Sequence, residues 1–187
     1  MARGLVLENI GPAKPGIKNE EIVIAVSAAF GIDIFQTLSG LSLGDVLFEI
    51  IAGAEEQGVD TRIVRFSRTA DLAFIGHDGA KLSGSGISVG IQSKGTTVIH
   101  QKDLYPLSNL ELFSMAPFIG LEHYRAIGRN AARYAIGLEP ELIVAPWSKL
   151  DAHTVKARTL PLAALIHQIE ERRCSKNSIP MELDVKF

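Results

Sequence analysis

A three-layer α/β domain on a mostly parallel sheet is the fold class this sequence predicts, and two observations carry the prediction. Short β-branched apolar runs alternate with segments of helical period through residues 22–92, in the order strand, helix, strand, helix, strand. Within 42–57, Leu43, Val46, Leu47, Ile50, Ile51 and Ala54 recur at spacings of three and four, which makes one apolar helix stripe to lay on such a sheet. The expected organisation is a loosely ordered N-terminal segment, 1–20, followed by a single domain over 21–187.

Taken in order, residues 1–20 hold Gly11, Pro12, Pro15 and Gly16 among scattered charges and read as a loosely held lead-in rather than a separate domain. IVIAV at 22–26 is continuously apolar, the pattern of a strand covered on both faces. Ser42 is a suitable N-cap for the next helix, Asp45 suits its first turn, and Gly58 ends it. TRIVRF at 61–66 is the second strand. Ser67 or Thr69 can cap the helix that runs to about Leu82, with Asp71 in its first turn. Strands follow at 87–92 and 97–100, then a helix at 121–135 whose inner side is Tyr124, Ile127, Gly128, Ala131 and Ala135. A last helix is expected from Leu160 to Arg173, with Pro161 in its first turn. MELDVKF alternates apolar and charged residues and reads as a half-buried C-terminal edge strand.

Composition excludes several classes of function. Net charge is −2 and aromatic content 6%, so there is neither a basic field nor a set of stacking platforms for nucleic acid. The longest apolar run, 22–32, is too short to span a bilayer. Cys174 is the one cysteine and cannot form an internal disulfide, which suits a reducing cytoplasm. Arg172 and Arg173 beside it could lower its pKa, although a bystander thiol is the simpler reading.

Familiar site motifs fail on spacing or context. Gly84, Gly86 and Gly90 precede and enter a strand, whereas a dinucleotide fingerprint follows a strand and opens a helix. Lys94 follows no glycine-rich phosphate loop, and Ser85 lacks the frame of a nucleophile elbow. The histidines at 77, 100, 123, 153 and 167 share no metal-ligand spacing, and His77 reads as a satisfied core or interface histidine. No nucleophile–base pair is legible, so no catalytic and no metal-binding residue is assigned. Arg125, Arg129 and Arg133 stack along one helix face, either as a solvated surface or as a dock for an acidic partner. Ligands of open parallel sheets bind at the carboxyl ends of the strands, and here Ser27–Gly31, Ser67–Asp71 and Ser93–Thr97 follow three strands. Ordinary βα turns would look the same.

Four long words, AFIGHDGAKLSGSG at 73–86, GIQSKGTTVIHQKDL at 90–104, PLSNLELF at 106–113 and YRAIGRNAARYA at 124–135, closely resemble the medium (β) subunit of adenosylcobalamin-dependent diol and glycerol dehydratases. The similarity runs from about Ile22 to about Gly137 and weakens afterwards. It implies a Rossmann-like core that grips the lower face of adenosylcobalamin, shared with a large catalytic subunit. Matched position by position, it makes Lys94 the cation at the nucleotide phosphate, Thr96 and Asp71 hydrogen-bonding neighbours, and Leu72, Leu107 and Asn109 further walls. It also implies large and small dehydratase subunits and a reactivating factor as partners, with no nucleic acid and no membrane. The expected location is the cytoplasm or a bacterial microcompartment. Two departures stand out: many relatives carry a longer N-terminal extension, linked to packaging, where residues 1–20 stand here, and Ser114 replaces a proline common among relatives. The rival reading is the small subunit of the reactivating factor, a non-enzymatic module of the same fold that lacks these words. A stand-alone ligand-binding α/β protein is the third.

Overall fold

The computed structural model describes residues 3–114, 118–144 and 152–187, with side chains described from 159 onward in the last span, so the side chain of His153 lies outside the described residues. In chain order the elements are β1 (Val6–Pro12), β2 (Glu21–Val26), α1 (Leu43–Glu55), β3 (Asp60–Arg65), α2 (Leu72–Leu82), β4 (Ile87–Ile91), β5 (Thr97–Gln101), β6 (Glu111–Phe113), α3 (Leu121–Ala135), α4 (Ala152–Arg173) and β7 (Met181–Lys186). The strands form one sheet in the order β1-β7-β3-β2-β4-β5-β6.

The centre of that sheet is the predicted parallel unit. β2 runs parallel to β3, with Ile24 opposite Ile63, and parallel to β4, with Ile24 opposite Val89. Parallel neighbours need crossover connections, which α1 and α2 provide. Every residue of β2 is buried, and its side chains alternate between two cores. Ile22, Ile24 and Val26 pack with Leu47 and Ile50 of α1 and Ile127 of α3. Val23 and Ala25 join Val64 of β3 and Ile75 of α2 on the other face. The sheet is therefore covered on both sides, as a continuously apolar strand requires.

Outside that centre the sheet is mixed, which corrects the expectation of a mostly parallel one. β4–β5, β5–β6, β3–β7 and β7–β1 are all antiparallel. β7 is not an edge strand either: it lies between β1 and β3, with Leu183 opposite both Asn9 and Ile63. Alternation along a strand reports which face is buried, not how many neighbours the strand has. Residues 6–12, within the lead-in expected to be loosely held, form β1 at the edge. Gly11 takes φ +132° where the β1–β7 register shifts, and Pro12 closes the strand, so a bulge and an edge accommodate the two residues that suggested a loop.

The helix ends follow their caps. Ser42 Oγ accepts from Gly44 N at 3.2 Å and α1 begins at Leu43, while Gly58 takes φ +73° beyond its end. Asp71, not Ser67 or Thr69, caps α2: its carboxylate accepts from Ala73 N at 2.9 Å, and Thr69 Oγ1 instead accepts from Asp71 N. α4 starts earlier than expected, which leaves Pro161 inside the helix rather than in its first turn. Proline's fixed φ is compatible with helical backbone, and the cost is confined to one missing N–H and the crowding of the preceding turn.

The arginine stripe on α3 is engaged in ion pairs within the chain. Arg125 pairs with Glu49 at 2.8 Å and Glu56 at 2.7 Å, Arg129 with Glu56 at 3.4 Å, and Arg133 with Glu141 at 3.0 Å. These pairs tie α3 to α1 and to the segment after α3.

Candidate functional site

The turn after β4 begins with the sequence QSKGT. Gly95 takes φ +99°, a conformation that strains any side-chain-bearing residue. Its N–H donates to Gln92 O at 2.8 Å, and Gln92 N donates to Thr96 O at 3.0 Å. Gly95 O accepts from the buried Tyr124 hydroxyl of α3 at 2.9 Å and from Thr97 Oγ1 at 3.0 Å. Burial pushes the Tyr124 phenol well above its ordinary range, so it acts as a neutral donor. Leu38 N donates to Lys94 O at 3.1 Å. The backbone that carries Lys94 is thus held on three sides. Tyr124→Phe should lower stability by about 1 kcal/mol, because Gly95 O keeps its second donor. A melting temperature unchanged from wild type would show that the brace carries no weight.

The turn after β3 approaches that one. Gln92 Nε2 donates to Ala70 O at 2.7 Å, bridging the two turns through a buried side chain. The third side is α4. Its residue Glu170 is 2% exposed and inserts between the loops that follow β2 and β4. Glu170 accepts from Ala29 N at 2.8 Å, from Ser93 N at 3.2 Å and from the hydroxyls of Ser27 and Ser93. Arg173 forms a bidentate pair with Asp33, holding that carboxyl below its usual range, and Ser175 N donates to Ser67 O at 2.7 Å. The end of α4 therefore gathers the loops after all three parallel strands.

Between these parts lies an open cleft of about 540 Å³ at the carboxyl edge of the sheet. Thr69, Ala70, Asp71 and Leu72 line it from the β3–α2 turn, Gln92 and Lys94 from the β4–β5 turn, and His167 and Glu171 from α4. Among the described residues Lys94 makes no ion pair. His167 Nε2 lies 3.4 Å from Glu171 Oε1, one helical turn on. This is the place that open α/β sheets offer to ligands.

A family model described as "Dehydratase medium subunit" matches residues 27–141, more than half of the chain. The chain belongs to the dehydratase medium-subunit family. Its matched region contains both cleft turns, and α4 lies outside it. Among solved structures, one titled "Glycerol dehydratase reactivase" superposes with a TM-score of 0.53 at 18% identity, covering 68% of this chain and 97% of that one. Another, "Structure of diol dehydratase-reactivating factor complexed with ADP and Mg2+", gives 0.49 at 19% identity over 68% and 98%. At such identity the first likeness speaks for the fold alone. The family match, which is to the medium subunit, decides among the three readings of the sequence.

Of the residues singled out in this medium subunit, the fold brings Asp71, Leu72 and Lys94 into one cleft. Thr96 sits half-buried in the Lys94 turn but outside the cleft lining. Leu107 and Asn109 are exposed on the connection from β5 to β6, with Leu107 78% exposed. His77 is buried with its ring 5.1 Å from that of His100, and burial lowers its pKa, as for a packed core histidine. Among the described residues no group of three His, Cys, Asp or Glu could hold a metal. The Cys174 thiol is pushed up by burial and by Glu170 and Glu171, the reverse of the effect its arginine neighbours suggested. Gln92, His167, Glu170 and Glu171 were not anticipated. The one sequence signal for Glu170 is a carboxylate four residues after Ile166, on the line that α4 buries.

Proposed function

We propose that this medium subunit supplies one wall of the adenosylcobalamin site of a diol or glycerol dehydratase and contributes no catalytic residue of its own. One observation carries the reading: Lys94, a lysine that makes no ion pair among the described residues and is held by a braced turn, lines a cleft at the carboxyl edge of the sheet beside Asp71 and Leu72. An ammonium is a compact point charge suited to a phosphate, such as that of a cobalamin nucleotide loop. Asp71 spends one carboxylate oxygen on the α2 cap, which leaves the other to accept from a ligand hydroxyl or amide. Leu72 offers an apolar surface, and Thr96, Leu107 and Asn109 would extend the wall along the neighbouring connections. Lys94 fits an anionic tail and Leu72 with Ala70 an apolar ring edge, while Asp71, Gln92 and Glu171 offer the rest of the lining to polar ligand groups. A cleft of about 540 Å³ takes only part of a corrinoid, which suits a wall shared with another subunit.

When bound, the cofactor supplies the radical chemistry that converts a vicinal diol to an aldehyde and water. The part of this chain is to bind and orient it: Lys94 neutralises the phosphate, and the Tyr124–Gly95 and Gln92–Ala70 hydrogen bonds hold the two turns at fixed separation. On this reading the partners are the large and small subunits, with the reactivating factor as an exchange partner, and the complex is a carbon–oxygen lyase working in the cytoplasm, free or inside a microcompartment. Among the described residues no helix is long and apolar enough to cross a membrane.

Reconstitution tests the assignment. The purified chain should form no aldehyde from propane-1,2-diol or glycerol with adenosylcobalamin, and activity should appear on adding the large and small subunits. Turnover by the chain alone, or full turnover without it, would refute the reading.

A further inference from the structure

Glu170 is the most enclosed carboxylate in the neighbourhood of the cleft, and the family match stops short of it. It sits where the strand order turns about β2, with β3 on one side and β4 on the other. Here an open α/β sheet usually presents its backbone N–H groups to an anionic ligand. Two backbone N–H groups, of Ala29 and Ser93, and two hydroxyls, of Ser27 and Ser93, all donate to this one side chain. The loop that carries Ser27 and Ala29 is shaped in turn by Arg65. This buried guanidinium donates through one nitrogen to Ser27 O, Ala28 O and Phe30 O at 3.1, 3.1 and 2.8 Å. Burial pulls the Arg65 pKa down to about 10, against the opposing effect of Glu170, so it remains a cation at neutral pH and balances the carboxylate through the loop. The fold thus builds an anion cradle at its switch point and fills it with its own side chain.

The consequence falls on the cleft. His167 and Glu171, which wall it from α4, flank Glu170 on the same helix, one three residues before and the other immediately after. We propose that Glu170 is a positioning residue, a latch that seats α4 in the switch-point cradle and thereby sets the α4 wall of the cleft and the affinity of the cleft for its ligand. The effect on the ligand rests on the cobalamin reading above, whereas the latch itself does not. A buried carboxylate serving only general stability would act on the whole domain. A latch acts on α4 first, and its cradle, once vacated, accepts a small carboxylate in its place.

The test replaces Glu170 by alanine in the full chain and follows amide hydrogen exchange in α4 and in the β2–α1 core. Exchange within α4 should accelerate on the order of tenfold or more while β2 and α1 keep their wild-type rates. Millimolar formate should restore α4 protection in Glu170→Ala and leave wild type unaffected. In the assembled dehydratase, the same variant should bind cyanocobalamin roughly tenfold more weakly, with formate recovering part of the loss. Unchanged α4 exchange in a folded Glu170→Ala chain overturns the latch, and so does uniform acceleration across the core without formate rescue. If Glu170→Ala does not fold, Ser93→Ala removes one hydroxyl donor and keeps both Glu170 and Arg65, and it should accelerate α4 exchange selectively to a smaller degree; no change there overturns the latch equally. Accelerated α4 exchange with unchanged cobalamin affinity, while Lys94→Ala still weakens binding, refutes the positioning role and leaves the cofactor reading standing. Absence of cobalamin binding by the wild-type complex defeats the cofactor reading, and the exchange result then decides the latch by itself.

Discussion

Lys94→Ala is expected to lower the affinity of the assembled dehydratase for cobalamin by roughly ten- to a hundredfold, corresponding to about 1.5–3 kcal/mol for one lost charge-assisted contact. The fold should survive, because Lys94 is half-buried in a turn and among the described residues makes no ion pair within the chain. The turn itself is fixed by main-chain bonds and by Tyr124, none of which involves the lysine side chain. Binding and stability should therefore separate: a titration of cobalamin into wild-type and variant complexes shows the loss, and thermal melts of the two coincide. Equal affinities in properly assembled complexes would make Lys94 a surface lysine. Asp71→Ala should weaken binding in the same direction but is a poorer probe, since Asp71 caps α2 and losing a cap costs about 0.5–2 kcal/mol on its own.

Gly128→Leu is expected to produce the largest loss of stability. Gly128 of α3 faces Ile50 of α1, and Gly53 of α1 faces Arg125 of α3. A Cβ at either glycine would meet the opposing backbone carbonyl oxygen well inside contact distance. Backbone cannot yield as a flexible side chain would, so a leucine must push the two helices apart. Overpacking of this kind costs about 3 kcal/mol or more. For a domain of this size that lowers the melting temperature by roughly 6–12 °C. Because α3 also carries Tyr124, the Lys94 turn should loosen with it. A variant melting within about 2 °C of wild type would mean that the helices can separate freely, contrary to the packing described.

These two sites differ in how they could be read from the sequence. The α1–α3 layer was legible, since stripes at spacings of three and four name the buried faces directly and Ser42 and Gly58 mark where α1 starts and stops. The parallel centre of the sheet was legible for a similar reason: a short, unbroken apolar run such as IVIAV suits a strand covered on both faces. The rims were not. β1 pairs through a backbone whose side chains alternate poorly and whose Gly11 and Pro12 look like a loop, and nothing along MELDVKF says whether one strand or two lie beside it. Asp71, Leu72 and Lys94 were found through their resemblance to the family, with strand ends supplying only the edge. His167, Glu170 and Glu171 reach that edge from a helix more than 70 residues beyond Lys94, and no local pattern announces such a return. The arginine stripe illustrates the same limit, because its partners Glu49, Glu56 and Glu141 are distant in sequence or lie on another element.

The central claim, that this chain supplies a wall of the cobalamin site, is tested most directly by lysine footprinting. The assembled dehydratase would be acetylated with and without saturating cobalamin, and modification of each lysine read by mass spectrometry. Lys18 and Lys186, with side chains 64% and 56% exposed and outside the cleft lining, serve as internal controls. The account predicts that cobalamin protects Lys94 and leaves both controls unchanged. Equal acetylation of Lys94 in the two states, with cobalamin demonstrably bound, would contradict it.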